Sequence, residues 1–225
     1  WHQWERIKQF IGIFLSTVAM MYLGYVTLSY MPIISLQLLL EVFQLGMITA
    51  FRVMLLVLLC AIVWTPIGIY LGLNERVGNF MQPVVQFLAS FPPNMLYPLF
   101  GSLIVIKGYN PNLWLPPLMV LGTQWYILFN VIAGVRAMPE HALMLSEALG
   151  IGRMLMFKRV LLPGILPSLV TGMITAAGGA WNASIVAEAL QWDGKRIYAD
   201  GLGAFITKSS QAGAGEDVFL GVVVM

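Results

Sequence analysis

The side chains able to do covalent or metal chemistry are few and scattered. His2 and His141 lie far apart in a chain of 225 residues, and Cys60 is the single cysteine. No HExxH occurs, and no group of His, Cys, Asp or Glu has the spacing of metal ligands. Both histidines, and Asp193, Asp200 and Asp217, fall outside the long apolar runs, so no Ser–His pair or paired aspartates form within them. The phosphate-binding pattern GxxxxGK followed by Ser or Thr is missing, so the chain offers no nucleotide-binding loop of that kind. The inventory points away from an enzyme.

What remains is a set of polar residues inside strongly apolar sequence: Arg52; Gln86, Ser90 and Asn94; Thr123, Gln124 and Asn130; Asn182, Ser184 and Glu188. Polar groups deep in an apolar segment are costly and face a bundle interior or a pathway. Gln124, Asn130, Asn182, Ser184 and Glu188 are the candidate substrate-path residues. Three of them have a second reading. Asn182 bonds across helices, Glu188 sits solvated at headgroup level, and Ser184 packs tightly. Arg52 either attracts an anion or snorkels to headgroups.

The elements that position these residues follow from composition. The chain is 59% hydrophobic and 10% charged, against roughly a quarter charged in soluble domains. That apolar excess must face lipid. The net charge of +2 supplies no field for nucleic acid. About 30 Å of hydrocarbon takes roughly 20 apolar residues as helix. Stretches 10–31, 47–73, 81–106, 113–135 and 164–190 meet that requirement, and a sixth begins near 218. Continuous rather than alternating runs select helices over a barrel. Pro92 and Pro93 predict a kink in the third span. In the fifth, Gly172, Ala176, Ala180 and Ser184 form a small-residue stripe for close helix packing. The chain opens at Trp1 and stops at Met225 inside an apolar run, which reads as a piece of a longer polypeptide.

Residues 136–163 are too charged to span. Arg153, Lys158 and Arg159 together would cost on the order of 7–10 kcal/mol at a bilayer centre. Yet Leu143, Leu145, Leu149, Met154, Leu155, Met156 and Phe157 give the segment a face to bury against a membrane surface or a partner. With the N-terminus inside, one set of loops holds Arg6, Lys8, Arg76, Arg136, Arg153, Lys158 and Arg159. The other end holds Arg52, Lys107, Lys195, Arg196 and Lys208. The excess places 136–163 in the cytoplasm.

Within that segment, residues 150–163 read GIGRMLMFKRVLLP. Gly150, nine residues, then Val160, Leu162 and Pro163 resemble the second half of the EAA motif of permeases of ATP-binding-cassette (ABC) importers. The family form is E-A-A-x-x-x-G, nine residues, then I-x-L-P. Here Met144, Leu145 and Ser146 stand where the family has Glu-Ala-Ala, and Glu147 is one position late. TQWYILFNVIAGVRAMPE at 123–140, GGAWNASIVAE at 178–188, FRV at 51–53 and PLFG at 98–101 resemble the nitrate/sulfonate/taurine/bicarbonate branch, particularly the second half of its fused double permeases.

The resemblance implies an all-α integral membrane protein with the type I ABC importer permease fold. It implies about six transmembrane helices and a cytoplasmic coupling-helix segment at 136–163. An N-terminal span and outer linker would occupy 1–46, and the permease core 47–225. Met144, Leu145, Glu147, Gly150, Val160, Leu162 and Pro163 would couple to separate ATP-binding subunits, which carry the ATP; no cofactor binds the permease itself. An extracytoplasmic solute-binding protein would deliver a small oxyanion. A second permease copy or fused half would complete the path in the bacterial inner membrane. The alternative is an ion-coupled secondary transporter, against which counts the lack of ionisable residues near span centres.

Overall fold

The computed structural model describes residues 2–30, 35–139, 141, 144, 148–150 and 152–225. Helix α1 runs His2–Tyr30, and its side chains from Ile11 to Tyr25 are exposed. Helix α2, Leu36–Leu73, is longer than the sequence reading. Ser35 caps it by accepting the Leu38 N–H at 3.1 Å, and the helix-forming run from Leu36 to Gly46 carries it through the expected outer linker.

α3, Glu75–Ser90, and α4, Tyr97–Lys107, are joined by a 3₁₀ turn at Pro93–Leu96 and bend by 69°. The kink foreseen from the proline pair is present. Prolines push the preceding residue out of the helical region, and Phe91 and Pro92 have ψ of 122° and 119°. Short helices α5, Pro111–Trp114, and α6, Pro117–Val120, precede α7, Gln124–Arg136, with a 40° bend between. The two breaks touch. A methyl group on Gly122 would lie 2.9 Å from Pro93 Cγ.

α8, Arg153–Met156, passes through a π turn at Phe157–Leu161 into α9, Leu162–Ala187. The chain then makes a two-stranded antiparallel hairpin, β1 Ala189–Trp192 and β2 Lys195–Tyr198, followed by α10, Leu202–Ala212, and α11, Gly215–Val224. Asp193 and Gly194, both with positive φ (47° and 70°), turn the hairpin, the geometry two-residue hairpin loops require.

The core lies where α7 packs between α2 and α9. Lipid supplies no hydrophobic drive for helix association, so close approach of small residues does the packing. On α2, a β-carbon at Gly68 would sit 2.7 Å from Val131, and one at Gly72 2.6 Å from Val135. On α9 the stripe Gly172, Ala176, Ala180 and Ser184 is the buried face. Gly172 lies against the Tyr126 carbonyl and the Ile127 Cα. The opposite faces expose large apolar side chains, among them Phe51, Met54, Leu58 and Ile62 on α2. Surface of that kind belongs against lipid. Among the described residues two helices, Leu36–Leu73 and Arg153–Ala187, are long and apolar enough to cross a membrane alone; counting each bent pair as one span gives four.

Candidate translocation face and coupling segment

Some 23 residues separate Thr49 from Gly72 on α2, about 35 Å at the helical rise, so the bundle has two distinct ends. At one end lie the hairpin and α10. At the other lie the α2–α3 junction, the end of α7 and the start of α8. Arg136 closes the latter, donating to Asn79 Oδ1 at 3.3 Å and Gln82 Oε1 at 3.5 Å.

The coupling segment leaves from this second end. Gly150 has φ of 64°, with open space where a side chain would be, so the expected break at this glycine is a left-handed turn. Met144 and Leu149 are exposed; Leu145 and Glu147 lie outside the described residues. Downstream the structure corrects the reading of a separate surface segment reaching 163. From Arg153 the chain is helical without interruption through Ala187. Arg153, Lys158 and Arg159 are exposed on the first turns of this long helix, beyond its apolar stretch. Pro163 does fall in the first turn of α9. Its missing N–H is accommodated by the π turn before it, in which Leu162 N–H bonds the Phe157 carbonyl. Val160 and Leu162 are half-buried.

The polar span residues sort into three groups. Gln124 is occupied within the fold, accepting from Trp64 Nε1 at 3.1 Å and donating to the Leu121 carbonyl at 3.1 Å. Ser184 is fully buried on the packing stripe. Asn182 and Asn130 differ. Asn182 is exposed on α9 in line with Thr171, Thr175 and Gly178, a spacing of i, i+4, i+7 and i+11 that makes one helical face. The two threonine hydroxyls donate to carbonyls one turn back, at 2.9 Å each. Half-buried Asn130 donates to the Tyr126 carbonyl at 2.8 Å and borders this face at Gly172, and the Tyr126 ring borders it at Gly179. In a chain whose surface is otherwise largely apolar, this uncovered polar strip stands out.

Glu188 forms the third group. Rather than a solvated headgroup-level carboxylate, it is fully buried. Its Oε1 accepts from Thr49 Oγ1 at 2.9 Å and from Arg52 Nη1 at 3.4 Å, and its Oε2 accepts from Gly203 N–H at 2.8 Å. Thr49 in turn accepts from Leu202 N–H at 2.9 Å. The carboxylate therefore satisfies free amides at the start of α10, where the helix dipole also favours a negative charge. Gly201 must lack a side chain, because a β-carbon there would sit 2.2 Å from Glu188 Oε1. The Arg52 guanidinium is engaged within the fold instead of snorkelling outward. It donates to the Asp200 carbonyl and, at 3.0 Å, to Asn112 Oδ1. One network thus ties α2, α5, the end of α9 and the start of α10.

Comparison with known proteins fits this architecture. A family model described as "Binding-protein-dependent transport system inner membrane component" matches residues 64–225, well over half of the chain. The chain belongs to this family. Among its relatives is the bicarbonate transport system permease protein CmpB of Synechococcus elongatus, 29% identical over 166 residues, 73% of this chain and 56% of that protein. The nitrate import permease protein NrtB of Leptolyngbya laminosa is 27% identical over 74% of this chain and 56% of its own length. The taurine transport system permease protein TauC of Escherichia coli is 25% identical over 77% and 60%. The chain spans little more than half the length of these relatives. A chain from the MetNI methionine ABC transporter, in inward-facing conformations, superposes with a TM-score of 0.59 at 18% identity, covering 85% of this chain and 91% of that one. It shows that the fold is the permease fold expected from the sequence.

Within this inner-membrane-component family fold, the five candidate path residues do not converge. Asn130 and Asn182 approach the uncovered strip, whereas Gln124, Ser184 and Glu188 are engaged in holding the bundle together. Of the strip's other members, Thr171 and Thr175 were absent from the sequence reading, and Gly178 entered it only as the start of the stretch 178–188. Their signal was a second helical stripe on the fifth span, offset from the small-residue one. The Glu188 network joins residues up to 153 positions apart and had no local signal.

Proposed function

We propose that the chain is the membrane-spanning permease subunit of an ATP-driven importer of the bacterial inner membrane, moving a small oxyanion such as nitrate, a sulfonate or bicarbonate. The observation that carries this reading is the uncovered polar strip Thr171, Thr175, Gly178 and Asn182 on a helix whose opposite face is packed. The two threonine hydroxyls are bonded within their own helix, so the cost of leaving the strip against lipid falls on the Asn182 amide, which has no partner among the described residues. A second copy of the permease, or a fused half, covers the strip, and the substrate path runs between the two. Family membership and the printed functions of the relatives support the same reading.

The Arg136 end is cytoplasmic in this scheme, because Arg76, Arg136, Arg153, Lys158 and Arg159 gather there. The turn at Gly150 and the sequence candidates Met144, Leu145 and Glu147 dock on the ATP-binding subunits in this reading, and α8 with α9 is the rod moved by them. ATP acts on those subunits, and no cofactor is needed in the permease. A solute-binding protein delivers substrate at the hairpin end.

Native mass spectrometry of the gently extracted complex tests the proposal. Two ATP-binding subunits should co-purify, and Gly150→Val, which forces a β-branched residue to positive φ, should release them. A permease that carries no ATPase under conditions preserving comparable complexes would contradict it.

A further inference from the structure

A cavity of about 360 Å³ opens at the hairpin end, lined by Tyr97, Ile185, Val186, Gln191, Arg196 and Thr207 among others. Its position is informative. Ile185 and Val186 lie one turn beyond Asn182 on the same side of α9, so the cavity sits at the top of the polar strip. Its chemistry is one-sided. Gln191 and Arg196 are directly paired across the hairpin and project from the same face of it. No carboxylate lines the cavity, and Arg196 has no ion-pair partner among the described residues. The Tyr97 hydroxyl likewise has no hydrogen-bond partner among them. Thr207 does not contribute a free donor, since its hydroxyl bonds the Ile185 and Gly203 carbonyls. The cavities at the other end differ. There the 400 Å³ cavity sets Glu75 beside Arg136, and Arg136 is already bonded to Asn79 and Gln82.

We propose that this cavity is an anion-accepting site at the mouth of the path, in which Arg196, Gln191 and Tyr97 take a small oxyanion before it enters the strip. The site rests on the path reading above and gives it a point of entry. An arginine offers two parallel N–H groups that match a planar or tetrahedral oxyanion, and an amide and a phenol supply the remaining donors. The network at Arg52 and Glu188 holds the hairpin and α10 in place around it, and Arg52 itself is consumed in that task.

The test uses the intact transporter with its ATP-binding subunits in phosphatidylcholine nanodiscs, with Cys60→Ala and Val186→Cys. Three thiosulfonate reagents are compared by labelling rate: one anionic (a sulfonate), one cationic and one uncharged. The anionic reagent should react about tenfold faster than the cationic one, the scale of electrostatic focusing in a charged cleft, and excess nitrate should slow it. Arg196→Gln should erase that preference while the uncharged reagent reacts at its former rate, and Arg196→Lys should restore most of it. Equal rates for both charged reagents, or a preference that survives Arg196→Gln, overturn the proposal. Protection by added phosphatidylglycerol but not by nitrate also overturns it, assigning the cavity to a lipid headgroup. The assay reads no transport. If it behaves as expected while the transporter takes up neither nitrate, bicarbonate nor taurine, the anion site stands and the importer reading falls.

Discussion

Glu188 makes four hydrogen bonds from a fully buried position, and removing it takes the carboxylate from Arg52 and leaves Thr49 Oγ1 and the first amides of α10 without their acceptor. Breaking one side of a buried charge pair costs about 3–5 kcal/mol. Glu188→Ala should therefore lower the thermal unfolding midpoint markedly. Adding Arg52→Met to it should cost far less than Arg52→Met alone, because no unpaired partner is then left. Additive losses in a double-mutant cycle would show that the pair is not coupled. At this scale the sequence was partly legible. Glu188 and Arg52 were visible as ionisable residues in apolar surroundings, but their readings were made one residue at a time. Glu188 was read as path-lining or solvated and Arg52 as anion-attracting or snorkelling to headgroups, whereas the fold gives them to each other. Gly150 was legible because a positive-φ turn is a local property, written in the residue itself.

Helix faces were read more reliably than helix ends. The small-residue stripe of α9 is the packing face, as its four-residue spacing implied. A test contrasts two glycines on different helix faces. Gly134 is packed so closely that a β-carbon would lie 2.8 Å from Ser168. Gly134→Val should cost about 1–3 kcal/mol by overpacking, measured as lost thermal stability. Gly178 has nothing within 4 Å. Gly178→Val should leave stability within about 0.5 kcal/mol yet cut transport, since it adds bulk to the proposed path; unimpaired transport would count against that path. Ends were misjudged for a physical reason. Charges at Arg153, Lys158 and Arg159 signal that a segment leaves the bilayer, not that the helix stops, and the continuous helix Arg153–Ala187 carries them exposed on α8 and the π turn, ahead of its apolar stretch. The hairpin at 189–198 was overlooked although Asp193–Gly194, flanked by Leu190, Trp192 and Ile197, is the usual signature of a tight two-residue turn.

The whole molecule resolves into a packed trio, α2, α7 and α9, with the bent pair α3–α4 beside it, the hairpin and α10 at one end and the coupling turn at the other. Its fold class was legible because lipid imposes one solution on long apolar runs. The composition of the proposed path was not, since the proposal builds it from two permease units and one chain holds only its own share. The account therefore stands or falls on whether the α9 strip faces water or lipid in the assembled transporter. The deciding measurement places a cysteine at Thr175 in a Cys60→Ala background and applies membrane-impermeant thiol reagents to each side of reconstituted vesicles, with and without ATP. Reaction from one side without ATP, shifting to the other when ATP is held bound, is the predicted result. A cysteine reached only by lipid-soluble reagents, whatever the nucleotide, would place the strip against the bilayer and contradict the account.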